Sequence, residues 1–144
     1  MTQRPIKFRA WCKSEPNKGM YYPIVLQMAN GKFDRLWTND YKLSSDVDDV
    51  VLMQFTGLLD KNGVLIYEGD VLGYSRKDND RDWNVEGRKA FPVIFENGQY
   101  FVNFRKYKIS EWKEPLYEVV KNNQNRKIFM EVIGNIYENP ELLN

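Results

Sequence analysis

Apolar and polar residues alternate along several short segments of the chain, and this period of two predicts β-strands. The clearest examples are residues 6–11, 91–95 and 100–104. Asn30-Gly31 and Asn97-Gly98 lie between apolar segments. Asn-Gly at such a position predicts a type I′ hairpin turn, because both central residues of that turn need a positive φ. The pattern therefore predicts antiparallel hairpins.

The other segments are less regular. Residues 20–29 are apolar enough for a strand, with a break or an edge position at Pro23. Residues 38–49 and 75–89 are polar, and we expect both to form loops.

Two segments carry helix signals. In residues 110–120, Ser110 is suited to cap a short helix that Pro115 would interrupt, or Pro115 itself is suited to start one. Asn139 and Pro140 near the end predict one terminal helical turn, with the Asn139 side chain accepting from its free N–H groups.

Three Asn-Gly turns, the third at Asn62-Gly63, and closely spaced strands predict a mostly β fold: a bent antiparallel sheet or small barrel, built from hairpins with little helix. Aromatic residues make up 15% of the sequence and suit packing on pleated surfaces. A length of 144 residues matches one domain, so we expect a single domain over residues 1–144.

The residue types exclude several kinds of site. The sequence has no histidine and one cysteine, Cys12, so it can form neither the usual zinc sites, nor a Ser-His or Cys-His catalytic pair, nor an intrachain disulfide. The net charge of +1 gives no basic excess for binding a polyanion. Neither a signal peptide nor an apolar run of about 18 residues is present. We therefore expect a cytoplasmic protein with no membrane partner and no cofactor.

Several motifs resemble the YopX family of phage and prophage proteins. They are the Phe-Arg-Ala-Trp of residues 8–11 with the Met-Tyr-Tyr of residues 20–22, the Leu-Met-Gln-Phe-Thr-Gly-Leu of residues 52–58, the Asp-Lys-Asn-Gly of residues 60–63, the Ile-Tyr-Glu-Gly-Asp-Val of residues 66–71 and the run from Val132 to Leu142. The resemblance implies a β-rich fold and a phage or prophage origin. It carries no catalytic or binding residue over to this chain.

Our first hypothesis is a non-enzymatic binding module, a phage accessory protein that docks on a host or phage protein. Arg9 and Trp11 share one face of the first predicted strand, and arginine and aromatic residues are enriched where partners bind. With Trp83 and Tyr107 they are the candidate partner-binding residues. A homo-oligomer formed by uncovered strand edges is also compatible with the sequence.

The alternative is a small nucleic-acid-binding β domain. Basic residues surround an aromatic one in residues 105–108, and single-strand binders combine a positive groove with aromatic platforms. The candidate residues are Arg105, Lys106, Lys108, Arg126 and Lys127. Nearby glutamates dilute their charge.

A carboxylate-dependent enzyme is the third hypothesis and the one we favour least. Glu68 and Asp70 lie close together and could hold magnesium, although acidic residues beside glycine also serve turns. Asp78, Asp80 and Asp82 have the spacing of a calcium loop, but the glycine and the final glutamate of that loop are missing. We predict no metal site and no enzymatic activity.

Overall fold

The computed structural model describes residues 3, 5–38, 42–44, 47–76, 90–106, 110–122 and 128–144. The chain divides into two compact units, Met1–Phe55 and Thr56–Asn144. The β6 strand (Val50–Leu59) contains the division between them. That the two units fold as one domain stays a prediction.

The first unit is built from short antiparallel strands. They are β1 (Phe8–Cys12), β2 (Gly19–Tyr21), β3 (Val25–Ala29), β4 (Lys32–Trp37), β5 (Lys42–Ser44) and the start of β6, which a 3₁₀ turn (Val47–Asp49) precedes. In one sheet β1 lies between β2 and β6, and a second sheet has the order β3-β4-β5.

The core of the first unit is small. Ala10 and Cys12 alternate along β1 and form a fully buried cluster with Leu36 of β4. Half-buried side chains, including Tyr21 and Leu52, pack around it. Val50 and Leu52 contribute because their register with β1 places them beside Cys12 and Ala10.

The second unit holds the larger sheet. In it β7 (Leu65–Tyr67) follows β6 as a hairpin, and a five-stranded antiparallel sheet has the order β11-β10-β9-β8-β12. Its strands are β8 (Asp70–Arg76), β9 (Phe91–Glu96), β10 (Gln99–Lys106), β11 (Ser110–Pro115) and β12 (Ile128–Asn135), with α1 (Leu116–Asn122) between β11 and β12 and a 3₁₀ turn (Pro140–Leu143) at the end.

One face of this sheet forms the main core. Leu72, Val93 and Val102 point from three adjacent strands into a cluster that Leu116 and Val119 of α1 complete. These two helix residues are three apart, so they lie on one side of α1 and bury that side alone.

The predicted fold class is confirmed: the structure is mostly β, built from antiparallel hairpins, with little helix. Asn30 and Asn97 have the positive φ that their turns require. The 110–120 segment is a strand up to Pro115, after which the helix begins, as a proline at a helix start allows.

The loop predicted for residues 38–49 is wrong in part. Residues 42–44 pair with β4 as β5, and residues 47–49 form the 3₁₀ turn. The polar composition of this segment did not indicate β5, because an outer strand of three residues needs few apolar positions. The first two residues of the predicted 75–89 loop belong to β8 instead. Residues 77–89 lie outside the described part of the chain.

Within the described residues, no helix is long and apolar enough to cross a membrane.

Candidate functional site

The Asp60 carboxylate holds the β6–β7 turn against a distant strand. Its Oδ1 accepts hydrogen bonds from the backbone N–H of Asn62 (2.7 Å) and of Val64 (2.9 Å). Its Oδ2 accepts a third from the N–H of Val132 in β12 (2.9 Å). Asp60 is 7% exposed, and burying a carboxylate is tolerable where several N–H donors replace water.

Neighbouring groups repeat this link between the turn and β12. The Lys61 N–H donates to the Met130 carbonyl (3.0 Å), and the Lys61 ammonium forms a 2.8 Å ion pair with Glu131. The turn and β12 are therefore joined by the backbone as well as by charge.

Asp70 has a similar structural role between β7 and β8. Its carboxylate accepts a 2.7 Å hydrogen bond from the Tyr67 N–H, and the residue is 1% exposed. Gly69, with φ of 79°, donates its N–H to Val93 and accepts from Ile136 through its carbonyl. Burial raises the pKa of the adjacent Glu68 carboxyl. Since the Asp70 carboxylate already caps this turn, the Glu68–Asp70 pair fits turn chemistry better than magnesium binding.

Asn135 organises the turn that follows β12. Its side-chain oxygen accepts from the N–H groups of Tyr137 (3.0 Å) and Glu138 (2.9 Å). Asn139 differs from our prediction: its side chain makes no cap hydrogen bond, and its Oδ1 instead accepts from the Asn135 N–H at 3.3 Å. Asn139 therefore fastens the 3₁₀ turn back onto the end of β12.

Across the described residues, no three His, Cys, Asp or Glu side chains lie close enough to hold a metal ion. Cys12 is fully buried, and burial, with a smaller contribution from Asp49, raises the pKa of its thiol. A thiol held in its protonated form is a poor nucleophile.

Aromatic side chains form a different kind of feature on the second unit. We call Phe95, Tyr100, Phe104 and Trp112 the aromatic rim. Tyr100 and Phe104 lie on one face of β10, and the strand register places Phe95 beside Tyr100 and Trp112 beside Phe104. The ring centroids are 4.9 Å apart in the first pair and 5.2 Å in the second.

The rim is partly open to solvent. Phe95 and Trp112 are each 50% exposed, whereas Tyr100 and Phe104 are half-buried against the main core. Phe104 also contacts the buried Phe91, with centroids 4.6 Å apart. The exposed Phe95 ring thus packs on Tyr100, and the exposed Trp112 ring packs on Phe104. Tyr100 and Phe104 themselves pack against the main core.

Comparison with known proteins identifies the family. The family described as "YopX protein" matches residues 7–144. The chain belongs to the YopX family. Among solved structures it is similar to the crystal structure of protein EF1440 from Enterococcus faecalis, with 27% sequence identity and a TM-score of 0.68. The similarity covers 99% of this chain and 100% of that chain.

Several of the residues that carry the YopX resemblance hold turns in this structure. The Asp60, Asp70 and Asn135 side chains all accept backbone N–H groups. Gly134 belongs to the same set, because a Cβ there would lie 2.5 Å from Asn139 Oδ1 and 2.8 Å from Leu142 Cδ1. These four motif residues therefore help to fix the turns and the ends of the strands.

The candidate partner-binding residues are only partly described. Arg9 and Trp11 lie on the face of β1 opposite the Ala10 and Cys12 core, both half-buried, and both interact with other parts of the chain. Trp83 and Tyr107 lie outside the described residues.

Of the nucleic-acid candidates, Lys108, Arg126 and Lys127 lie outside the described residues. Arg105 and Lys106 form the end of β10, where their backbone pairs with Glu111 and Ser110.

Sequence reasoning did not indicate that two residues of the aromatic rim, Phe95 and Trp112, would be exposed beside neighbouring rings. Alternation over residues 91–95 predicted a strand but did not indicate that Phe95 would be exposed. Trp112 lies in the 110–120 segment, for which the sequence offered helix alternatives, whereas residues 110–115 form the strand β11. The usable signal was the Asn97-Gly98 turn, because a residue next to a hairpin turn lies at the end of the sheet.

Proposed function

We propose that this YopX-family protein is a non-enzymatic binding module, a phage or prophage accessory protein that docks on a host or phage protein in the cytoplasm. The observation that carries the proposal is the aromatic rim, where Phe95 and Trp112 are half-exposed yet held by ring contacts. Aromatic anchors of this kind dominate the binding energy of many protein interfaces.

The fixed position of the rim favours binding. A side chain that is already ordered loses little conformational entropy when a partner covers it. The rim residues lie on paired strands β9, β10 and β11, so their spacing is set by the sheet. A partner with a complementary apolar surface would meet a preformed site.

The described carboxylates support a non-enzymatic role. Asp60 and Asp70 are buried and accept backbone hydrogen bonds, which leaves them poorly placed to contact a substrate. If a magnesium-dependent activity existed, the metal would stabilise the folded state and raise the melting temperature. We expect no change in melting temperature at millimolar magnesium or manganese, and a clear increase would contradict this part of the proposal.

The test is a pull-down from bacterial host lysate, with and without nuclease, using the wild type and a Phe95→Ala/Trp112→Ala double variant. We expect a near-stoichiometric protein that survives nuclease and is lost with the double variant. Tyr117→Ala is the matched control, since Tyr117 is an exposed aromatic residue (57%) on α1, outside the rim. Equal capture by wild type and double variant would rule out the rim as the docking surface.

A second pull-down tests the residues proposed from the sequence. Alanine at Arg9, Trp11, Trp83 and Tyr107 together should weaken capture if these positions also contact the partner. Unchanged capture by this quadruple variant would remove them from the interface and leave the rim as the candidate surface.

Nucleic-acid binding remains the second candidate function. It is favoured by the position of Trp112, whose exposed ring lies one strand from the β10 end that contains Arg105 and Lys106. Single-strand binders combine aromatic rings with a positively charged groove.

This alternative predicts that affinity for a single-stranded oligonucleotide falls steeply with salt, because bound phosphates release counterions. An Arg105→Ala/Lys106→Ala variant should bind more weakly and show a shallower salt dependence. Fluorescence anisotropy at several salt concentrations measures both quantities. The absence of binding at low salt would exclude the alternative.

A further inference from the structure

The β3 strand has an unpaired side in the described structure. It is the outer strand of the β3-β4-β5 sheet, and among the described strands only β4 pairs with it. An unpaired strand edge presents a row of backbone donors and acceptors to which another strand can add.

The hairpin geometry identifies which backbone groups point outward. Asn30 and Gly31 both have positive φ (52° and 72°), as in a two-residue type I′ turn closed by Ala29 and Lys32. In such a hairpin the closing pair is hydrogen-bonded, and hydrogen-bonded and free positions then alternate along the strand. The ladder has a β-bulge between Met28 and Gln27, but its extra residue, Asp34, lies on β4, so β3 keeps this alternation. The N–H and C=O of Ala29 and Gln27 therefore face β4, and those of Met28 and Leu26 face away from it.

The side chains of β3 are unusually apolar for such an edge. Val25 is 55% exposed and Met28 is 57% exposed. They lie on opposite faces of the strand because their positions differ by an odd number. A strand added at this edge would cover apolar surface on both faces.

The charge pattern identifies the kind of strand that fits. From Gly19 through Gly31 the sequence contains no charged residue, whereas edge strands usually carry lysine or other charges that prevent pairing. By contrast, β11 at the edge of the five-stranded sheet contains Glu111, Lys113 and Glu114. A neutral strand can pair with an identical strand without placing like charges opposite each other.

We propose that β3 pairs antiparallel with β3 of a second copy of this chain, about a twofold axis at Gln27. In this register Leu26 lies opposite Met28 of the partner subunit, so the outward backbone groups of both residues meet in two hydrogen-bonded pairs. Val25 lies opposite the partner's Ala29, a large residue beside a small one. The two three-stranded sheets join into one six-stranded sheet.

The register can be tested by crosslinking, because Gln27 lies opposite its own copy at a non-hydrogen-bonded pair. The Cα atoms of such a pair are about 4.5 Å apart, within the range that a disulfide spans. Gln27→Cys should form a covalent dimer under mild oxidation. Gln99→Cys, an exposed glutamine in β10, is the matched control and should stay monomeric on a non-reducing gel.

Sedimentation equilibrium of the wild type from about 1 µM to about 1 mM measures the dimer without any substitution. Gln27→Lys places two lysines opposite each other and should raise the dimer dissociation constant by up to about fivefold, as should Gln27→Glu. An equimolar mixture of the two variants should recover the lost affinity, and Gln99→Lys should leave it unchanged. A wild type that stays monomeric, or a dimer that Gln27→Cys does not crosslink, would overturn the proposal.

Discussion

The β3–β4 and β6–β7 turns lie in different units and are fastened in different ways. In the β3–β4 turn Asn30 and Gly31 have positive φ, and a Cβ at Gly31 would meet no atom within 4 Å beyond its chain neighbours. Gly63 in the β6–β7 turn shares both features, so the two turns differ in what else holds them. The β6–β7 turn is held by the Asp60 carboxylate, which reaches its own turn and also Val132 of β12.

This difference in how the turns are held indicates two roles for a hairpin: one fixes the core, and the other presents a strand for association. A turn tied to a distant strand fixes its place in the core and has few groups left to offer a partner. A turn held by local conformation leaves its outer strand available, as the outward backbone groups of β3 illustrate. The comparison thus predicts where substitutions cost stability and where they act on association instead.

The largest expected effect comes from removing the Asp60 carboxylate. Asp60→Ala leaves three N–H groups without an acceptor and should lower the free energy of unfolding by about 3–5 kcal/mol. Urea denaturation measures this value. Asn62→Ala is the control, because it removes only a 3.5 Å side-chain contact to Glu131 and should cost less than about 0.5 kcal/mol. Similar losses in the two variants would break the contrast between the hairpins.

Gly134→Ala tests the contact between the end of β12 and the 3₁₀ turn that follows it. This contact is close, as in the β6–β7 turn, but it involves residues nearby in sequence. The new methyl group would overlap Asn139 and Leu142, so we expect a loss of about 1–3 kcal/mol. In an Asn139→Ala background two of the three close atoms are gone, and the added cost should be smaller. An undiminished cost in that background would show that overlap with Asn139 is not its cause.

Gly31→Ala tests the locally held turn. The added methyl group meets no neighbour, so its cost should be conformational alone, about 1 kcal/mol. Gly31→Asn should cost less, because asparagine tolerates positive φ better than alanine does. Hydrogen exchange should show faster opening confined to β3 and β4. Loss of protection in β8 or β12 would mean that this hairpin is not held locally.

Glu68 gives the smallest effect, and it depends on pH. Because burial raises the pKa of its carboxyl in the folded state, the folded protein binds the proton more tightly than the unfolded chain does. This contribution is complete below the unfolded pKa, about 4.3, and is lost as the pH rises through the folded pKa. Wild type should therefore lose stability relative to Glu68→Gln as the pH increases over that window. Melting curves at several pH values would contradict this if the difference stayed constant.

The sequence predicts much of the fold because its strongest signals are local. Asn30-Gly31 and Asn97-Gly98 predict their turns, because the two central residues need a positive φ that few other residue types adopt. Pro115 likewise marks the point where β11 ends and α1 begins. Even Pro23 separates β2 from β3, as expected.

The candidate site was less predictable because it depends on distant pairings. Nothing near Asp60 in the sequence indicates that it accepts from Val132, which lies 72 residues away. The exposure of Trp112 follows from its register with Phe104 and from where α1 lies on the sheet. Such facts require knowledge of which strands pair, and periodicity within a strand does not provide it.

The link from Asp60 to Val132 also sets an order of events during protein synthesis. Asp60 leaves the ribosome long before Val132, and until β12 follows, one of its carboxylate oxygens has no backbone partner from that strand. The side of β8 that faces away from β9 also stays unpaired until β12 is synthesised, because β12 is the neighbour of β8 on that side. We therefore expect the second unit to close late in translation, and a nascent chain that stalls before β12 to expose an unpaired strand to chaperones and proteases.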